Sequence, residues 1–273
     1  MLEEISLSFF INIIMSTIIY PSPIFGPVHS RRLGVSLGVN LMPGDGKVCS
    51  FDCIYCECGF NADYRPHAKR PTREEVRTAL SDVLRQRHEN GEPLDVITFA
   101  GNGEPTGHPD FPAIIDDTIE IRNRFFPEAK VSVLSNATYI YKENIREALM
   151  KVDNNIQKLD TVNAAYIEKV DRPVSSSYDV ENVVKNLMSF QGHVIIQTMF
   201  MTGDYHGESV DNTTEEYVAP WLDAVKKIAP QQVMIYTIDR ETPAHGLRKA
   251  TPEVLDNIKS RVEAIDISCQ ASY

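Results

Sequence analysis

Four of the five cysteines fall within ten residues, Cys49, Cys53, Cys56 and Cys58, and the fifth, Cys269, is remote. Four thiols packed this closely, in a total that is odd, make a poor disulfide framework and point to a metal site in a reducing compartment. The first three follow a C-x3-C-x2-C spacing. Three thiolates hold three irons of a [4Fe–4S] cluster and leave the fourth iron open for a reactant. The competing arrangement is a structural zinc site with Cys58 as fourth ligand. Zinc sites usually pair two separated Cys-x-x-Cys knuckles, and a second knuckle is missing from this sequence, so the spacing favours the cluster.

Further chemistry-bearing residues lie downstream. Gly101-Asn102-Gly103-Glu104-Pro105 follows a short β-rich run. Glycines let a backbone approach a ligand, and a carboxylate suits an ammonium group, although a lone turn of this kind often only reverses the chain. Lys158 and Asp160 are two apart on an expected strand and so share a face. Gln197 and Thr198 interrupt an otherwise apolar strand, where a polar residue needs a partner. Four groups are candidates to face a substrate: Gly203–Glu208, Asp239-Arg240-Glu241, Cys58 and Arg31-Arg32. For each of them a surface loop, a salt bridge or a spare thiol is the plainer expectation. His108 is expected to be a loop hydrogen-bonder and Cys269 to be inert, while His29 and His245 receive no role.

The elements that must carry these residues alternate regularly. Strands are expected at Leu33–Leu41, Leu94–Ala100, Val131–Leu134, Asn155–Val162, Val194–Met201 and Gln232–Ile238. Helices are expected between them. One opens with the capping box Thr72-x-x-Glu75 and closes at Asn90-Gly91, and another spans Phe111 to Arg122 with one apolar face. Lys142–Lys151 and Tyr178–Phe190 follow. A second capping box, Thr213-x-x-Glu216, opens a helix to about Ile228, and Thr251-Pro252 caps the last. Six β–α units in alternation imply a parallel sheet with right-handed crossovers. Six fall short of the eight that close a full barrel, so the expected fold is α/β, a partial, open (β/α)6 TIM-like barrel with outer helices. Function is expected at the C-terminal ends of the strands.

Composition sets outer bounds. The chain has 273 residues, 42% hydrophobic and 24% charged, which excludes disordered and collagen-like classes. Its formal charge of −11 argues against extended non-specific contact with nucleic acid. Ser6–Tyr20 carries no charge but is short for a bilayer span, and the Met1-Leu2-Glu3-Glu4 start lacks the basic residues of a signal peptide. Residues 1–24 therefore read as an N-terminal extension with Met15 as an alternative start, and residues 25–273 as one core domain. A cytoplasmic protein without a membrane anchor is expected.

Taken together, the motifs resemble the radical S-adenosylmethionine (SAM) enzymes, whose signature C-x3-C-x-aromatic-C is met with Tyr55 at the aromatic position. Closest is the group related to the tRNA wyosine-forming enzymes. The similarity runs through Phe25–Val39 (FGPVHSRRLGVSLGV), GNGEPTGHPDF, KLD at Lys158–Asp160, DRP at Asp171–Pro173 and IYTIDR at Ile235–Arg240. It implies that Cys49, Cys53 and Cys56 ligate a [4Fe–4S] cluster and that SAM binds its open iron. It further implies that Gly101, Asn102, Gly103, Glu104 and Pro105 meet the SAM amino group and that Tyr55 and Asn136 contact SAM. Lys158 would meet its carboxylate, Asp160 its ribose, and Gln197 the same ligand. Reductive cleavage would give a 5′-deoxyadenosyl radical, with the electron drawn from a flavodoxin- or ferredoxin-type donor. The substrate expected from this resemblance is a tRNA base. A glycyl-radical-enzyme activase, acting on a protein loop, is the alternative enzyme, and a non-catalytic iron–sulfur or zinc protein the alternative from another class. No cysteine precedes Cys49, so the additional N-terminal cysteine set of the archaeal wyosine enzymes is missing.

Overall fold

The computed structural model describes residues 17–30 and 34–273. The Met15 start and Arg31-Arg32 lie outside the described residues.

Seven strands run parallel in one sheet, and an antiparallel strand joins at one edge. In chain order the elements around the first crossover are β1 (Ile24–Ser30), β2 (Gly34–Val39), α1 (Arg73–Glu89) and β3 (Val96–Phe99). Next come α2 (Phe111–Phe125), β4 (Lys130–Ser135), α3 (Glu143–Leu149) and β5 (Asn154–Lys158). A short α4 (Ala164–Tyr166) runs into a π-helical turn over Ile167–Asp171, followed by α5 (Val180–Met188), β6 (Ile195–Met199), β7 (Met201–Tyr205) and β8 (Glu208–Ser209). The chain ends with α6 (Glu215–Ile228), β9 (Gln232–Tyr236), β10 (Leu247–Lys249), α7 (Pro252–Glu263) and β11 (Cys269–Ser272). The large sheet has the order β1-β2-β3-β4-β5-β6-β9-β11, with only the β1–β2 pair antiparallel. Its ends do not meet, so the partial open barrel expected from the sequence is what forms.

The helix signals work as their chemistry requires, with one exception. Thr72 and Glu75 form the reciprocal capping box of α1, and Val76, Leu80 and Leu84 recur every fourth residue to bury one face. Thr251 caps α7, with Pro252 in its first turn. The second expected box is not made. The Thr213 hydroxyl donates to Asp211 at 2.6 Å instead, and Thr214 becomes the N-cap of α6. The Thr213 backbone N–H also donates to Asp211, at 2.9 Å, which turns this residue back onto the preceding loop instead of onto the helix.

Strand periodicity divides the buried residues into two layers. On β6, Ile196 joins the main core between sheet and helices, while Ile195 packs with Ile156 and Met234 inside the barrel. Successive side chains alternate faces, so Gln197 and Thr198 must part company. Gln197 points inward. Thr198 points to the helix layer, donating to the Leu159 carbonyl at 2.8 Å and accepting from the Trp221 indole at 3.1 Å. β3 is buried along its whole length, as a central parallel strand requires.

Three elements differ from expectation. β11 adds a seventh parallel strand beside β9, with Cys269 in the main core. Its sequence, Cys-Gln-Ala-Ser, is too short and polar to announce a strand. Gly203–Glu208 spans most of an antiparallel hairpin of β7 and β8, extended by β10, and lines neither of the cavities described below. The fifth strand of the sheet ends at Lys158, leaving Asp160 just beyond it. Among the described residues no helix is long and apolar enough to cross a membrane.

Candidate functional site

The cysteines sit on the long connection from β2 to α1, over the C-terminal ends of the parallel strands. This segment has no regular structure of its own, so other parts of the fold must hold it. Ile54 donates its backbone N–H to Val170 at 2.9 Å and accepts from Ala244 at 3.2 Å, and Phe51 bridges Pro173. Asn61 binds the first half from within, giving Nδ2 to the Phe51 carbonyl at 3.0 Å and its backbone N–H to Asp52 at 2.7 Å. Ile18 donates to the Glu57 carbonyl at 2.9 Å, so the described end of the N-terminal extension packs on the loop.

The Gly101–Pro105 turn positions this loop directly. Gly103 has φ +144°, and an added Cβ would lie 1.8 Å from the Val48 carbonyl oxygen. Val48 donates to the Asn102 carbonyl at 2.9 Å, so the turn and the first residues of the loop run as paired backbones. Asn102 is fully buried and its amide is spent on the chain, joining Tyr20 and Pro43 at 2.8 Å each. Asn40 completes that knot through Tyr20, Met42 and Asn102. Gly101 faces the barrel, and its carbonyl accepts from the Cys58 thiol at 3.5 Å.

Glu104 is 3% exposed, and its oxygens accept from Thr106 and, at 2.6 Å, from the Asn136 backbone. Burial raises its pKa, opposed by these hydrogen bonds. Asn136, at the end of β4, turns its amide to Ser50 at 2.9 Å and to the Cys49 sulfur at 3.6 Å. That contact with the cysteine loop was not foreseen; the resemblance implied only contact with SAM.

Lys158 and Asp160 meet, with three further partners. The Lys158 ammonium pairs with Asp160 and, at 2.8 Å, with Asp171. Asp160 also accepts from the Tyr55 hydroxyl and, at 2.9 Å, from the Met199 backbone. Lys158 lies 5.2 Å from the centre of the Tyr55 ring. Burial raises the Asp171 carboxyl above its ordinary range against the pull of Lys158. Asp171 entered the sequence reading only as part of the DRP motif; the π-helical turn after α4 folds it back onto β5.

Lys47 is a buried cation beside the cysteine loop that the sequence reading missed. It is 3% exposed, donates to the Gly59 carbonyl at 2.6 Å and stands 3.6 Å from Asp52. Desolvation works against its charge, yet Cys56, Cys49, Cys53 and Asp52 together raise its pKa. Its position two residues before the first cysteine was the available signal.

The loop separates two cavities. Cys56, Tyr55 and Cys58 face the barrel interior, about 480 Å³, whose wall includes Gln197, Met199, Met234 and Tyr236. His29, Asp239 and Arg240 also border it, with Arg240 held by Glu57 at 2.7 Å. Cys49 faces an outer cavity of about 770 Å³ together with Glu104. His108 is a loop hydrogen-bonder as expected, bonded to Pro71 and Asp110.

The donor set fits a thiolate-held cluster. Burial pushes the Cys49 thiol up to about 12 and raises Cys53 well above its ordinary value, so both hold their protons until a metal displaces them. Lys47 and Lys158 supply buried positive charge to Cys49 and Cys53 respectively, as an anionic group demands. Among the described residues no three His, Cys, Asp or Glu side chains converge as the ligands of a single metal ion.

Comparison with known proteins agrees. The family model of the radical SAM superfamily matches residues 45–217. A UPF0026 protein of Helicobacter pylori is 31% identical over 236 residues, covering 85% of this chain and 71% of that one. A radical SAM methyltransferase from Sphaerobacter thermophilus superposes with a TM-score of 0.63 at 14% identity, over 87% of this chain and 66% of that one. The chain thus spans just under two thirds of that enzyme's length. TYW1, solved with a lysine–pyruvate adduct bound, superposes at 0.55 and 12% identity over 84% of this chain and 73% of that one. The chain belongs to the radical SAM superfamily, an enzyme whose cofactors are a [4Fe–4S] cluster and S-adenosylmethionine.

Proposed function

We propose that the chain generates a 5′-deoxyadenosyl radical and directs it at a carbon–hydrogen bond of a substrate, a tRNA base, reaching into the barrel interior. The observation that carries this reading is the placement of Cys56 and Tyr55 on the wall of a cavity ringed by the C-terminal ends of β3, β6 and β9. When bound, the cluster and SAM supply one-electron cleavage of the sulfonium bond.

The chain's own residues bind, orient and shield. Cys49, Cys53 and Cys56 are the cluster ligands, held by the Asn61 and Ile54 contacts. The Gly101–Pro105 backbone lies alongside the cysteine loop, with Gly101 on the barrel wall to meet the SAM amino group, while buried Glu104 braces the turn against Thr106 and Asn136. Lys158 and Asp160 line neither cavity; bonded to each other and to Asp171, Tyr55 and Met199, they brace Tyr55 behind the barrel wall. Gln197 is a polar group on an inner wall where Met199, Met234 and Ile156 supply the apolar surface beside it and help to keep water from a reactive radical. The tRNA substrate is supported by the resemblance to the wyosine-forming group and by the fold shared with TYW1. The acidic charge confines such contact to the barrel mouth, where Arg240 and His29 stand.

The test is anaerobic. The reconstituted, reduced chain is mixed with SAM, with and without unmodified tRNA, and 5′-deoxyadenosine is measured by mass spectrometry. Native protein and Cys58→Ser should form it, and Cys56→Ser should not. Tightly bound zinc with no SAM cleavage would sink the radical reading. Cleavage indifferent to tRNA would remove the RNA substrate.

A further inference from the structure

The electron and the substrate need separate ways in, and the two cavities provide them. The barrel interior must hold SAM and substrate, so an electron carrier cannot approach from that side without displacing them. On the other side, Cys49 is the only one of the three ligating cysteines to line the outer cavity, which opens between the β4–α3 connection and α5.

The rim of this outer cavity carries exposed cations. In a chain of net charge −11, exposed Arg70 and Lys185 line it, and Lys142 stands 4.8 Å from the ring of Tyr139 on its wall. Two apolar side chains on the rim are left in solvent, Tyr141 at 60% and Val174 at 67% exposure. Two carboxylates border the cavity against three cations. Asp179 caps α5 by accepting from Glu181 at 2.9 Å and Asn182 at 2.7 Å, and Glu104 is buried with its hydrogen bonds filled. Exposed cations around an aromatic and an aliphatic anchor make a small face complementary to an acidic partner.

We propose that this cleft is the docking face for the electron donor, a small acidic one-electron carrier protein of the flavodoxin or ferredoxin type. The inference rests on Cys49, Cys53 and Cys56 being the cluster ligands. The step is a single electron transfer: the reduced carrier loses one electron, the oxidised cluster gains it, and no bond or proton changes place. The carrier sits over Cys49, and the substrate enters through the barrel mouth.

The experiment compares two reductants on the reconstituted holoenzyme. Reduction is followed by the loss of cluster absorbance in a stopped-flow instrument, using a reduced acidic flavodoxin or, separately, dithionite. In the triple variant Arg70→Glu, Lys142→Glu, Lys185→Glu the flavodoxin rate should fall about tenfold or more, and its sensitivity to salt should vanish. The dithionite rate and dithionite-driven SAM cleavage should stay at native values. Lys185→Glu alone, on the exposed face of α5, is the second variant should the triple one lose its cluster, and a fall of about threefold is expected of it. An unchanged flavodoxin rate in either variant would overturn the proposal. So would loss of tRNA binding with donor-driven reduction intact, which would make the face an RNA contact. If the native chain takes up no cluster, the ligand assignment itself fails, and that outcome shows before any variant is made.

Discussion

Lys158→Met isolates the buried charge network under the cysteine loop. The native ammonium lies between Asp160 and Asp171, whose side chains are 1% and 4% exposed. Methionine nearly conserves volume but strands two carboxylates out of water. Breaking a buried pair from one side costs about 3–5 kcal/mol when the remaining charge persists. Protonation offers an escape whose cost depends on pH. Holding a proton on a carboxyl of ordinary pKa near 4 costs about 2 kcal/mol at pH 5.5 and more than about 5 at pH 8, so only the lower pH gives relief. The folded variant then keeps a proton that its unfolded chain has released above about pH 4. Stability therefore falls as pH rises toward the raised native-state pKa. Urea unfolding of the apo chain should show a deficit against native protein of about 2 kcal/mol at pH 5.5 and about 3–5 at pH 8. Adding Asp171→Asn should recover a large part of the loss at pH 8, because Asp160 keeps Tyr55 and Met199 as donors. A deficit below about 1 kcal/mol at both pH values would refute the reasoning, since it would mean that the carboxylates find water or another cation.

Two further outcomes test the links between turn, loop and cluster. Gly103→Ala forces a side chain against the Val48 carbonyl at a backbone angle that L-residues rarely adopt. It should cost about 2–4 kcal/mol in urea unfolding and lower the iron bound per chain, and native iron content with unchanged stability would contradict it. Lys47→Gln removes a buried positive charge near the cysteine sulfurs while leaving an amide to donate to Gly59. At an effective dielectric of about 20 and a separation of about 8 Å, that charge is worth about 2 kcal/mol, or about 90 mV for one electron. The cluster midpoint potential in an EPR-monitored redox titration should drop by that order, Lys47→Arg should preserve it, and an unmoved potential in Lys47→Gln would refute the assignment.

What the sequence alone determined follows from periodicity and spacing. Alternating apolar runs with capping signals specified six strands, the helices between them and an open parallel barrel, because each such signal is local and repeats with the geometry of its element. The cysteine spacing favoured a cluster over zinc, and the Gly101–Pro105 turn drew its expected role from the family resemblance, since both are short patterns that can be read along the chain. Tertiary structure decided the rest, wherever a residue's role depends on a neighbour far along the chain. Asp171 joins Lys158 only because a π-helical turn folds back onto β5. Gln197 and Thr198 part only once β6 has a barrel on one face and α6 on the other. β11 is a strand because β9 offers it a partner edge. Lys47 becomes a buried cation, and Cys49 and Cys56 come to face different cavities, only when the loop closes across the sheet. A pattern with a short period can be read along the chain; a charge network or a cavity exists only between elements that folding has brought together.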